Sequence, residues 1–214
     1  MKLKSIKELV SIFPELRLFK ASGNDFLLID SASKSEVLRG ARITNSRFST
    51  NFSIWLTPKV CFPSSDTIVY SNYQLVVEDS PQELTLNKDL INETQMFHKF
   101  KDAIENNLLP LNSVDCLSSL EDYLSSNSDR WLVSAFSKAQ YGLLSFYNHN
   151  NNKALDLIKT IYASLNAHNP LTKDVEQFLI LIEKNDSEEI SNYFGNLRSL
   201  GDMRINKLLK KIKK

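Results

Sequence analysis

The sequence predicts an α+β fold, with a small antiparallel sheet in an N-terminal portion and a C-terminal half of packed helical hairpins. Three observations carry that expectation. Glycine and proline are scarce, at 5 and 6 of 214 residues, which favours long elements over many tight turns. Runs rich in β-branched and aromatic residues between 53 and 77 alternate with turn residues. From about residue 92 onward, apolar residues recur at helical spacing instead.

Taken in order, residues 2–13 form an amphipathic helix, because Leu3, Ile6, Leu9, Val10 and Phe13 share one face and Pro14 ends it. Residues 16–19 and 26–29 are strands joined through Ser22-Gly23-Asn24-Asp25, a turn-forming sequence. Residues 31–50 are rich in serine and arginine with weak periodicity and read as a loop holding at most one helical turn. Further strands are expected at 53–56, 60–62, 67–70 and 73–77, punctuated by Pro58, Pro63 and Ser71-Asn72.

A helix spans 92–109, with Phe97, Phe100, Ile104 and Leu108 inward and Pro110 closing it. The next begins at Ser113 and carries Val114, Leu117, Leu120 and Leu124. Residues 131–147 are helical, then asparagines 148–152 turn the chain. Ala154, Ile158 and Ile161 mark another helix, ended by His168-Asn169-Pro170. Thr172 caps the following one, through Val175, Phe178 and Ile182. Asp186 and Glu189 have the spacing of a capping box and start the last helix, which runs through Phe194 and Leu197 towards Ile212. Each broad apolar face requires a neighbour to bury it. Two domains follow: an α+β portion over 1–90, and an all-helical domain over 91–214 that ends in a basic amphipathic helix.

The stretch 181–194, from Leu181 through Asn185-Asp186 to Phe194, resembles the turn and second helix of a tetratricopeptide repeat; Gly142 followed by Ala154 does so more loosely. That resemblance covers about a third of the chain and implies stacked helical hairpins. Ser145 stands where the family favours an aromatic residue, and the closing proline is out of register. A second local likeness joins Phe19 to Phe26: Lys20-Ala21-Ser22-Gly23-Asn24-Asp25 resembles the opening turn of diaminopimelate epimerases, where it helps hold substrate. Those enzymes use two cysteines in glycine-rich settings. Cys61 is followed by Phe62-Pro63 and Cys116 falls in a helix, so the likeness stops at the turn.

Several chemistries lack their residues. The five glycines never take phosphate-loop spacing, no Gly-x-Ser-x-Gly elbow occurs, and His98, His149 and His168 are far apart. No catalytic residue, metal ligand or cofactor is therefore assigned. Two unpaired cysteines fit a reducing compartment, and the lysine-broken N-terminus is no secretory signal; a cytoplasmic protein without a transmembrane segment is expected.

Charge is uneven. Net charge is +1, yet residues 204–214 carry Arg204, Lys207, Lys210, Lys211, Lys213 and Lys214 with no acid, leaving the remainder at −5. Such a tail suits phosphates, an acidic partner, or only the negative end of its own helix. Arg39, Arg42 and Arg47 could add a second basic patch, or belong to a solvated loop. The leading expectation is a non-catalytic accessory or adaptor subunit that binds a larger protein, within a nucleic-acid-handling assembly. A nucleic-acid-binding regulator using the six basic residues is one alternative. An enzyme with a dispersed site near Asn24, Asp25 and Cys61 is the other.

Overall fold

A computed structural model describes residues 3–22, 25–30, 36–45, 50–65, 68–76, 92–149 and 152–212. Helix α1 (Leu3–Ile12) leads into five strands: β1 (Leu16–Ser22), β2 (Asp25–Asp30), β3 (Val37–Asn45), β4 (Thr50–Pro58) and β5 (Tyr70–Val76). They form one meander in the order β1-β2-β3-β4-β5, every pair antiparallel. The helices that follow are α2 (Glu93–Ala103), α3 (Leu117–Ser126), α4 (Ser128–Trp131), α5 (Ala135–His149), α6 (Asn152–Ser164), α7 (Pro170–Lys184) and α8 (Ser187–Ile212). The α+β class is as expected, while the junction at residues 90/91 lies outside the described residues.

Strand β3 and the start of β4 occupy what reads in the sequence as a loop. Paired on both sides, β3 is buried on both faces, so its residues do not alternate cleanly between polar and apolar. Val37, Ala41 and Ile43 face the helices with Phe26, Leu28, Phe52 and Ile54. Arg39 lies on the same face by alternation. Its guanidinium meets Asp30 at 3.2 Å, with both side chains almost wholly buried, and donates to the carbonyl of Leu111. Arg39 and Arg42 thus belong to a strand, and Arg47 lies outside the described residues. Other boundaries shift too. Residues 60–62 form the turn leaving β4, and 68–69 precede a single strand β5; Thr67 and Val77 lie outside the described residues.

Helix boundaries follow their caps. Asn92 and Gln95 close a reciprocal cap on α2, which widens after Ala103 into a π-helical turn over Ile104–Leu108 and then tightens into a 3-10 turn over Leu109–Ser113. Pro110 sits in the first turn of the latter, where its missing N–H costs nothing, so the chain coils on past it. Helix α3 starts at Leu117 with Cys116 as its cap. Ser134 and Ser137 exchange hydrogen bonds at 3.0 and 3.1 Å and start α5. Asn169, with Pro170 first in the helix, caps α7; Thr172 instead donates to the Asn166 carbonyl. Asn185 takes a left-handed conformation (φ 52°) between α7 and α8, and Asp186 accepts the N–H groups of Glu188 and Glu189.

One apolar core runs from Ile6 on α1 through the sheet to Leu197 on α8, crossing the change from strand to helix without a break. The opposite sheet face carries a smaller cluster, in which Leu27, Ile29, Leu38 and Trp55 receive Ile205 and Leu208. Helix α8 therefore has two jobs. Its first half pairs with α7, and its second half lies across the outer face of the sheet. Burying Ile205 and Leu208 contributes about 1.5–3 kcal/mol each. Among the described residues, no helix is long and apolar enough to cross a membrane.

Candidate partner groove

The α5/α6 and α7/α8 hairpins leave a groove of about 660 Å³ between them. It exists because small or polar residues face the gap where larger ones would fill it. Gly195 is the clearest: a Cβ built there meets nothing within 4 Å. Glycine in mid-helix costs about 1 kcal/mol relative to alanine, so its presence opens space at some expense to α8.

The floor is aromatic. Phe146 of α5 and Phe194 of α8 stack at 6.4 Å between centroids, and Tyr147 meets Phe194 edge-on at 5.0 Å. Phe178 of α7 leans on Phe146, Phe194 and Tyr193, and also meets Phe62, at 6.0 Å, in the turn leaving β4. The groove floor is thus packed directly against the sheet's connecting segment. Leu155 and Ile190 add aliphatic wall, while Asn152, Asn185 and Ser191 supply amides and a hydroxyl.

Arg198 closes one end. Its Nη1 donates to the hydroxyl of Tyr147, and its guanidinium carbon lies 5.9 Å from that ring's centroid. Nη2 pairs with Glu36, whose other carboxylate oxygen accepts the N–H of Leu117 at 3.1 Å. Glu36 is further tied through its backbone to Asp115 and Lys59. Its hydrogen bond to the Tyr147 hydroxyl, ahead of the charge of Glu36, pushes the Arg198 guanidinium pKa up. Among the described residues that line it there is no carboxylate, imidazole, thiol or lysine. A groove so equipped can hold a ligand but brings no paired acid and base to it.

Beneath the groove, the segment 61–65 is built into a buried polar junction. Gln140 accepts the N–H of Phe62 at 3.0 Å, and Asp174 accepts that of Ser64 at 2.6 Å. Burial pushes the Tyr193 hydroxyl well above its usual range, with Asp174 and Cys61 adding to it, and burial likewise raises Tyr70. Neither phenol ionises near neutrality.

Among the described residues, the basic side chains of the tail do not all face solvent. Arg204 turns inward: Nη1 reaches Cys61 Sγ at 2.9 Å and Ser65 Oγ at 3.0 Å, and Nη2 donates to the Pro63 carbonyl. It clasps α8 to the segment 61–65. Lys207 and Lys210 remain exposed. Lys211 is described only as backbone, and Lys213 and Lys214 lie outside the described residues. The Asn24, Asp25 and Cys61 set is not assembled either. Asn24 lies outside the described residues. Asp25 begins β2, paired with Thr44, at the end of the sheet where β4 starts. Cys61 follows the far end of β4, about 20–25 Å away at strand rise, and is buried in the core. Burial raises its thiol pKa, outweighing the lowering by Ser65 and Arg204. Among the described residues no group of acids, histidines and cysteines could hold a metal ion.

Comparison of the chain with protein-family models, with curated proteins and with solved structures finds no match.

That helical hairpins offer grooves to a partner segment follows from the sequence; which residues line this one does not, and the signals present were Gly195 inside a strongly periodic helix and Arg198 three residues on.

Proposed function

We propose that the chain is a non-catalytic accessory subunit, and that the groove between its helical hairpins holds a segment of a larger protein partner. The observation that supports this reading is the open space at Gly195 beside the aromatic floor, flanked by amides suited to a peptide backbone. A lining without a carboxylate, imidazole or thiol favours holding over converting. The partner is expected within a nucleic-acid-handling assembly, a role the exposed Lys207 and Lys210 would serve.

The test uses a plug. Tryptophan at 195 has room to lie in the groove without disturbing the helix packing behind it. Full-length protein and its Gly195→Trp variant are each expressed in the source cells and isolated under native conditions. A stoichiometric companion retained by the wild type and lost from the variant supports the proposal. A companion held equally by both places the contact elsewhere.

A further inference from the structure

We propose that the groove selects an extended, singly charged acidic peptide segment, with an Asp or Glu carboxylate held by Arg198 beside a bulky apolar side chain seated on Phe146 and Phe194. This rests on the groove being the partner site. Arg198 is the one charged residue among the described residues lining the groove. It is also pre-arranged. Tyr147 and Glu36 hold its guanidinium from behind, so little side-chain freedom is lost when a ligand arrives. The side chain is nevertheless 40% exposed, and a guanidinium carries five N–H donors in a planar fork that matches a carboxylate.

Glu36 sets the charge of the ligand. Its carboxylate already offsets part of the Arg198 charge and is fixed by Leu117, so it cannot swing away. A phosphate dianion would meet one partly neutralised cation and a nearby carboxylate, an unfavourable balance. A single carboxylate can share the fork with Glu36. The remaining lining fits a peptide on either side of that anchor. Asn152 and Asn185 can each donate to and accept from a main chain, and the left-handed turn fixes the backbone of Asn185. Leu155 and Ile190 complete an apolar seat with the two phenylalanines.

The probe is a phage-displayed library of random twelve-residue peptides, panned against the full chain. A labelled consensus peptide is then titrated by fluorescence anisotropy. The expected consensus pairs Asp or Glu with a large apolar residue, and Gly195→Trp abolishes its binding. Arg198→Met weakens it by about tenfold, the scale of one charge-assisted contact at a half-exposed site. Glu36→Gln, which removes the competing anion, leaves binding equal or up to about threefold tighter. Should Arg198→Met fail to fold, the consensus peptide with its acid changed to the amide must weaken by the same factor on the wild type. A consensus without an acid, or an amide peptide that binds equally, overturns the carboxylate proposal while leaving the groove reading in place if Gly195→Trp still abolishes binding. No enriched peptide, or binding indifferent to Gly195→Trp, overturns both.

Discussion

Gly195 and Gly201 lie less than two turns apart on α8, and alanine at each should move stability in opposite directions. Both substitutions gain intrinsic helix propensity of about 1 kcal/mol. At 195 nothing opposes the gain, because the new methyl meets no atom within 4 Å. Gly195→Ala should therefore stabilise by about 0.5–1 kcal/mol, raising Tm by roughly 1–4 °C for a chain of this size. At 201 the methyl would fall 2.0 Å from the Lys59 carbonyl oxygen and 2.6 Å from its carbonyl carbon and Cα. That strand-end backbone cannot yield freely. Its N–H donates to Glu36 at 2.9 Å, and the Lys59 ammonium pairs with Asp202 at 2.8 Å. Helix α8 must then lift from the sheet, loosening Arg204, Ile205 and Leu208. Overpacking costs about 1–3 kcal/mol, and partial loss of the two aliphatic contacts adds about 1–2 kcal/mol more. After the propensity gain, Gly201→Ala should destabilise by about 1–4 kcal/mol. Urea titrations followed by far-ultraviolet circular dichroism read both changes. If the two variants shift the midpoint in the same direction, the docking of α8 across the sheet is wrong.

Three further expectations follow from particular groups. Cys116 caps α3 and is partly exposed; hydrogen bonding of its sulfur with the Ser118 and Ser119 hydroxyls and the Ser119 N–H lowers its thiol pKa, whereas burial raises that of Cys61. Iodoacetamide at pH 7.5 should label Cys116 alone, with the rate rising through a midpoint below the usual thiol range; mass spectrometry that finds Cys61 labelled in the native protein contradicts this. Arg39→Leu removes the buried guanidinium from beside the Asp30 carboxylate and should cost about 3–5 kcal/mol, read as a lowered urea midpoint; a loss under 1 kcal/mol would mean the pair is not buried as described. Lys207→Glu with Lys210→Glu tests the nucleic-acid role without touching Ile205 or Leu208. Any affinity for duplex DNA or RNA resting on this face should drop and lose part of its salt dependence, and unchanged binding would place the contact elsewhere.

The sequence and the structure agree best where burial is one-sided. Helices α1, α6 and α8 were legible because Leu9, Ile158 and Leu197 recur on single faces against polar backs. Strand β3 was not, because a strand covered on both sides need not alternate, and because Arg39 reads as solvated until Asp30, nine residues away, is placed beside it. Pro110 reads as a helix stop, yet it occupies the first turn of a tighter coil that continues the chain. The inward course of Arg204 depends on Cys61 and Ser65, about 140 residues earlier, so no local pattern could distinguish it from its lysine neighbours. A groove between helical hairpins is legible in the sequence, but its lining is legible only as a question, posed by a glycine in mid-helix.

The proposed site can be interrogated most directly by light-activated cross-linking from within it. A benzoyl-phenylalanine replacing Ser191, at the groove rim, should yield one discrete heavier adduct on irradiation in the source cells, removed by excess consensus peptide. The same photoprobe replacing Gln177, on the exposed face of α7 outside the groove, should yield none. Equal adducts from both positions, or none from Ser191, would contradict a partner segment lying between the hairpins.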